Sequence, residues 1–293
     1  IGLDKRLARG VANEILENSE TCRNDTNHLK NLIVDKKRVL NSDIISEDTL
    51  NAIVDKINKI LELPDYEILK EALTKTLNNE FSHQVNNIYN RTDSAEFTLK
   101  IKDNKIKGQI KNDKVINIDN AISLDTEAVY LDDPLILDNL LYKVPFFDSP
   151  ESRKRTHANH LKLILSNTSK KETLIDEIIT KKKIATIIDK MSKVSSGEMV
   201  SESSRFVYKT ETYEPLLDIK NISTGLKTFV ILKTLLIGGY IEDNGTIILD
   251  EPEIHLHPEW QLILAEIIVL LQKEFGLHIL LNTHSPYFLN AIE

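Results

Sequence analysis

Two acidic residues, Asp250 and Glu251, directly follow the strand-like apolar run 246–249. Open α/β sheets place their ligands at the carboxyl ends of buried strands. In phosphoryl transfer a first acid in this place holds Mg²⁺, and a second acid can orient or deprotonate an attacking water. A polar strand end before the turn at Pro252 is the structural alternative, and the acidic pair alone does not decide between the two.

The segment from Ser223 to Lys227 is a second place where phosphate chemistry is expected. Ser223 is a natural N-cap, and the free backbone N–H groups at the start of a helix attract anions. Gly225 would let the backbone approach a phosphate closely. Ordinary helix capping is the simpler explanation of this segment when it is taken alone.

Histidine side chains follow the same elements. His284 lies in Thr283–Pro286, which ends a second apolar run. A histidine there can hydrogen-bond a terminal phosphate or the attacking water, or it can be a structural residue. His255 and His257 lack the further ligands that zinc needs, and His257 before Pro258 is better explained as a helix boundary.

Two strands and a helix must position these groups. The runs 246–249 and 278–281 are continuous and apolar, and a helical pattern from Pro258 to about residue 275 joins them. Continuous apolar strands joined by a helix are typical of a parallel sheet covered on both faces. Neighbouring parallel strands would bring the acidic pair and His284 to one edge of the sheet.

The rest of the chain changes its pattern twice before this lobe. Residues 1–94 are mostly helical in pattern, and residues 95–140 alternate with a period of two, which predicts a hairpin followed by two short strands. Residues 141–200 are helical and basic, and residues 201–293 form the C-terminal lobe. The sequence therefore predicts an α/β protein in which a basic helical insertion interrupts the strands.

The basic segment has two interpretations. Residues 151–195 hold 11 Lys and Arg against 5 Asp and Glu. This excess predicts either contact with duplex DNA through residues 153–183 or a helical pair whose lysines keep the surface soluble. The segment has no Phe, Trp or Tyr for base stacking, which favours the second interpretation.

Composition excludes several classes of protein. With 41% hydrophobic residues, 28% charged residues and a net charge of -8, the chain is typical of soluble globular proteins. Its apolar runs are too short to span a membrane, and its single cysteine, Cys22, excludes an intrachain disulfide and suits a reducing cytoplasm. The chain begins at Ile1 and ends inside a helical pattern, so we expect it to be a piece of a longer protein.

The order of these motifs resembles the C-terminal lobe of ABC-type ATPases, and most closely the ABC-like AAA ATPases of prokaryotes with OLD-like, RecF-like and SMC-like heads. Gly225 precedes Asp250 by 25 residues, and His284 follows Glu251 by 33. Residues 222–227 look like the signature motif, and residues 247–251 look like Walker B with its catalytic glutamate. Residues 253–258 occupy the D-loop region, and His284 looks like the switch histidine.

The resemblance implies an ABC-type ATPase head with ATP and Mg²⁺ as cofactors. Mg²⁺ would lie at Asp250, Glu251 would polarise water and His284 would contact the terminal phosphate. In such families two heads form a head-to-tail homodimer, so that Ser223 and Gly225 would act on the ATP of the partner, and Thr224 and Lys227 belong to the same motif.

The resemblance also implies that closure of the dimer on ATP gates an effector, such as a nuclease or toxin subunit in anti-phage defence. A DNA-repair or chromosome-maintenance ATPase that binds duplex DNA is the first alternative. The second is a nucleotide sensor that dimerises without hydrolysis.

One family motif is absent from the sequence. No Gly-x-x-x-x-Gly-Lys-Ser/Thr P-loop occurs in the 293 residues, and Gly225–Thr228 is the nearest echo. We expect the P-loop to precede Ile1 in a longer protein; a degenerate head that borrows a partner's P-loop is the alternative. Gln84, which follows a helical segment, is the candidate for the Q-loop glutamine.

Overall fold

The computed structural model describes residues 64–86, 94–101, 104–119, 126, 128–140, 156–166, 174–202, 205–210 and 216–293. The chain divides into two compact units, Ile1–Ser123 and Leu124–Glu293. This division falls inside the predicted β-rich part, residues 95–140. The helices predicted before residue 64 lie outside the described residues.

The first unit packs a helix against an antiparallel sheet. Its elements are α1 (Asp65–Glu80), β1 (Ala95–Ile101), β2 (Asn104–Lys111) and β3 (Lys114–Ile118). The strands lie in the order β1-β2-β3, and the predicted hairpin is confirmed. The core joins two sets of side chains: Leu69, Leu73 and Leu77 of α1 pack against Ile106, Ile110, Val115 and Ile118 of the sheet.

The second unit combines a parallel sheet, a second antiparallel sheet and five helices among the residues that the structure describes. In chain order its elements are β4 (Ala128–Leu131), the 3₁₀ segment Pro134–Asn139, α2 (His157–Ser166), α3 (Leu174–Ser192), β5 (Glu198–Glu202), β6 (Arg205–Lys209), β7 (Leu217–Asp218), the 3₁₀ segment Ile219–Asn221, α4 (Thr224–Ile237), β8 (Thr246–Asp250), α5 (Pro258–Phe275), β9 (His278–Asn282) and α6 (Pro286–Ile292). Strands β5, β6 and β7 form the antiparallel sheet.

Strands β4, β8 and β9 form the parallel sheet, with β8 in the centre. Asp250 pairs with Asn282 across β8 and β9, so the segments that follow these two residues leave the sheet at the same edge. The predicted strand, helix and neighbouring parallel strand are thereby confirmed. A proline and a glycine delimit α5, the helix between β8 and β9. Pro258 occupies its first turn, and Gly276, with φ 63°, ends it.

The two faces of the parallel sheet are covered to different extents. Ile247 and Leu249 are buried, in one apolar cluster with the inner faces of α4 and α5. On the opposite face Ile248 is half-buried, and Leu280 beside it is 57% exposed. The apolar runs predicted cover on both faces. Within the described residues the face that carries Ile247 and Leu249 is the better covered one, because α4 and α5 pack on that side.

The described part of α3 packs against the C-terminal lobe. Ile187 and Met191 are fully buried in the main core. The Nζ of Lys183 lies 2.8 Å from each carboxylate oxygen of Asp243, and Lys190 pairs with Glu266. Two lysines of the basic segment are therefore bound to acids of the lobe, which favours the structural interpretation for them. Side chains of residues 153–155 and 181–182 lie outside the described residues, so DNA contact there stays a prediction.

Of the helices that the structure describes, none is both long enough and apolar enough to cross a membrane.

Candidate active site

The acidic pair lies where β8 ends. Asp250 is the last residue of the strand, and Glu251 leaves it with φ 47°, in the left-handed region that favours glycine. The Glu251 N–H donates a 2.9 Å hydrogen bond to the Asn282 carbonyl of β9, which holds this turn to the sheet. A non-glycine residue in this conformation costs about 1–2 kcal/mol, and such strain is concentrated at functional sites.

The structure brings Glu251 and His284 together. The Nε2 of His284 lies 3.1 Å from Oε1 of Glu251. The His284 side chain is 90% exposed and that of Glu251 36% exposed, so the pair faces solvent at the carboxyl edge of the sheet. Two residues that the sequence placed in one site are thus in contact, and both can reach a ligand bound above the strand ends.

Asp250 has a partner that sequence reasoning missed. The hydroxyl of Tyr130 donates a 3.1 Å hydrogen bond to Oδ2 of Asp250. Tyr130 pairs with Ile248 across β4 and β8, and Asp250 lies two residues farther along, on the same face of the sheet. The period-two pattern of β4 predicts which side chains of that strand lie on the same face as Tyr130. It does not predict which strand lies beside β4.

The donor set around Asp250 fits Mg²⁺ bound together with a nucleotide. No group of three or more His, Cys, Asp or Glu able to hold a metal occurs among the described residues. Mg²⁺ commonly takes one or two protein carboxylates and completes its shell with phosphates and water. A single half-buried carboxylate, oriented by Tyr130, meets that requirement.

The N-terminus of α4 is capped as predicted. The Ser223 Oγ accepts a 3.3 Å hydrogen bond from the Leu226 N–H, and Thr224 is the first helical residue. Gly225 packs against the turn that follows β8: a Cβ there would lie 2.7 Å from the His255 carbonyl oxygen. Close approach of protein backbone therefore explains the glycine in this structure, independently of any phosphate.

Lys227 and Gln84 lie in other surroundings. The Lys227 side chain is only 3% exposed, and its Nζ lies 2.5 Å from Oδ1 of Asp138 and 3.3 Å from the Lys220 carbonyl oxygen. The ammonium is thus engaged inside the second unit by Asp138 and the Lys220 carbonyl. Gln84 is exposed in the turn after α1, in the first unit. Lys227 has no described contact with the acidic pair or His284, and the role of Gln84 stays a prediction.

The turn between β8 and α5 is held by its own hydrogen bonds. The Ile254 N–H donates to the Glu251 carbonyl at 3.1 Å, and the Leu256 N–H donates to the Glu253 carbonyl at 2.9 Å. The side-chain amide of Gln261 donates to the Leu256 carbonyl at 3.2 Å. The turn is therefore a fixed structure.

The predicted helix boundary at His257 is confirmed. His257 is the N-cap of α5 and Pro258 its first residue, while His255 lies exposed in the preceding turn. Neither histidine belongs to a cluster of metal ligands among the described residues.

A parallel sheet packed against helices, with an acidic pair at the end of one strand and a histidine after the next, fits the α/β class of P-loop NTPase-like AAA domains. The chain belongs to the family described as "AAA domain, putative AbiEii toxin, Type IV TA system", whose model matches residues 35–290. Domains of this class are in general ATPases that use ATP and Mg²⁺. The predicted AAA family is confirmed. ATP hydrolysis by this chain stays a prediction, and so does the OLD-like, RecF-like or SMC-like subtype.

Tyr130→Phe should raise the Mg²⁺ concentration needed for nucleotide binding roughly 10-fold, because loss of an outer-shell hydrogen bond commonly weakens a metal site by about 10–100-fold. The substitution removes one oxygen, and the ring keeps its edge-on contact with His157 at 4.7 Å between centroids. Titration of Mg²⁺ against fluorescent-ATP binding measures the effect. Binding in excess EDTA is the control, and a shift there as well would contradict a role at Asp250.

Proposed function

We propose that this protein is an ATP-binding and ATP-hydrolysing head that forms a dimer when ATP is bound. The contact between Glu251 and His284 beside Asp250 carries the proposal. It joins a proton acceptor, a phosphate-binding side chain and a metal-binding carboxylate at the strand ends of an AAA domain.

Each residue has a distinct role in the proposed reaction. Asp250 holds Mg²⁺, which neutralises phosphate charge when bound. Glu251 accepts a proton from water as the water oxygen bonds to the terminal phosphorus. The bond from that phosphorus to the bridging oxygen breaks, and ADP leaves with the electron pair. His284 donates a hydrogen bond to a terminal phosphate oxygen and is held toward this position by Glu251.

The start of α4 serves the site of the second subunit in this proposal. The backbone N–H groups of Thr224 and Gly225 precede the first intrahelical hydrogen bonds and lie at the positive end of the helix dipole. Together with Ser223 they form an anion-binding surface for the partner's nucleotide. Lys227 is assigned to the structure of the head and not to the nucleotide, because its ammonium is buried against Asp138.

The proposed role in the cell follows from the family. The family's description names a putative AbiEii toxin of a type IV toxin–antitoxin system. We therefore assign the ATP-driven dimer to control of an effector, a nuclease or toxin subunit, in such a defence system. The DNA-binding alternative has less support, since Lys183 and Lys190 are bound to acids of the lobe.

Nucleotide-dependent assembly tests the proposal directly. The 293 residues contain no P-loop, so the measurement uses the full-length gene product with any co-purifying subunit. Light scattering after gel filtration should show a monomer with ADP and a dimer with ATP and Mg²⁺, and phosphate release should accompany the dimer. Dimerisation without phosphate release would favour the nucleotide sensor, and absence of ATP binding would exclude both.

A further inference from the structure

Glu253 is a buried acid to which the proposed reaction assigns no role. It lies two residues after Glu251 and is only 4% exposed. Its Oε1 accepts a hydrogen bond from the hydroxyl of Thr283, the residue immediately before His284. Its Oε2 is buried and has no hydrogen-bond partner among the described residues.

A carboxylate in this environment is costly. Buried charges are normally paired or fully hydrogen-bonded, and an apolar side chain would fill the same space without that requirement. Among the described residues, the one hydrogen bond of the Glu253 side chain leads to the loop that carries His284. Its use therefore lies in what it holds in place.

Contacts made by the neighbouring residues of the loop must position His284. Its side chain is 90% exposed, so packing around the ring contributes little to its placement. Residues on both sides of it are fixed instead: Thr283 donates to Glu253, and the Thr283 Oγ accepts a 3.0 Å hydrogen bond from the Ser285 N–H. The Glu253 carboxylate thus holds the loop in position.

The same turn positions Glu251. The Glu251 N–H donates to the Asn282 carbonyl, one residue before Thr283. The segment 282–283 is therefore bound to the turn after β8 at two points, at Glu251 and at Glu253. The contact between Glu251 and His284 is a third connection between the same two segments.

We propose that Glu253 and Thr283 are positioning residues that set the distance between Glu251 and His284 for hydrolysis. This inference rests on the proposed ATPase function. Neither side chain touches the nucleotide in it; both act through the backbone of the two catalytic residues.

Thr283→Val tests the inference, with Thr283→Ser as the matched control. Valine has nearly the shape of threonine without the hydroxyl, whereas serine keeps it. In Thr283→Val we expect the turnover number for phosphate release to fall about 100-fold, since a misplacement of about 1 Å can cost that much. The dissociation constant for ATP should stay within twofold of the wild-type value. The melting temperature should fall, because the buried Glu253 carboxylate loses the one described hydrogen bond of its side chain.

A second variant separates positioning from direct chemistry. Glu253→Gln keeps an acceptor oxygen for Thr283 but removes the charge, so positioning predicts that it retains most of the turnover. Loss of turnover in Glu253→Gln as severe as in Thr283→Val would overturn the inference, because the charge itself would then be required. Unchanged turnover in Thr283→Val would overturn it as well.

A crystal structure of Thr283→Val makes the test independent of the ATPase. Loss of the 3.1 Å contact between Glu251 and His284, with the contact retained in Thr283→Ser, supports the inference. Retention of the contact in both variants overturns it. If the wild type releases no phosphate, the proposed function fails, yet this comparison still decides whether Glu253 and Thr283 position the pair. Thr283→Ala replaces the valine variant if the latter does not fold.

Discussion

Replacing Glu251 with glutamine should lower the rate of phosphate release by roughly 10²–10⁴-fold, the usual contribution of a general base. Glutamine keeps the length of the side chain and an oxygen facing His284, but it cannot accept the proton of the attacking water. Binding of ATP does not need that proton transfer. The variant should therefore accumulate as an ATP-bound dimer.

Phosphate release and light scattering, measured on one preparation, check both parts of this result. Glu274→Gln makes the same chemical change on the exposed surface of α5 and should behave as the wild type. A Glu251→Gln protein with unaltered phosphate release would rule out Glu251 as the base. If the wild type and Glu251→Gln both release no phosphate, the result would favour the nucleotide sensor.

Asp138→Ala should destabilise the second unit by about 3 kcal/mol, the lower end of the range for removing one partner of a buried ion pair. Lys227 is 3% exposed, and without Asp138 its ammonium would keep only the Lys220 carbonyl as a described partner. The partial exposure of Asp138, 32%, places the effect at the lower end. Urea unfolding followed by circular dichroism measures the change.

Lys227→Met is the matched comparison for Asp138→Ala. It removes the buried charge, fills the space with an apolar chain and leaves Asp138 able to reach water, so the loss should be about 1 kcal/mol or less. The two variants together separate a buried cation from a surface ion pair. A larger loss in Lys227→Met than in Asp138→Ala would contradict the pairing seen here.

Local patterns predicted the elements that hold the site. The apolar runs 246–249 and 278–281 are short and continuous, and a helix of ordinary length separates them, so a parallel pair was the natural expectation. That pairing alone brings Glu251 and His284 to one edge. Only one helix and one strand lie between Glu251 and His284 in the chain, so the local pattern was sufficient to predict that they are close.

The partners of these residues were beyond the same reasoning. Tyr130 lies 120 residues from Asp250, and only the order of strands in the sheet brings them together. Lys227 was grouped with Ser223 because they are close in sequence, but the direction of a helical side chain depends on what packs against that face. Here that is Asp138, 89 residues earlier in the chain.

The left-handed backbone at Glu251 has a consequence for how mutation can remove the activity of this protein. Glycine is the one residue that adopts φ 47° without steric cost, so Glu251→Gly relieves strain and, in the same step, removes the carboxylate that we propose as the base. The gain roughly offsets the added freedom of the unfolded chain. Under the proposed mechanism, a single substitution therefore gives an inactive allele of normal abundance, and the protein level in the cell would give no sign that the activity has gone.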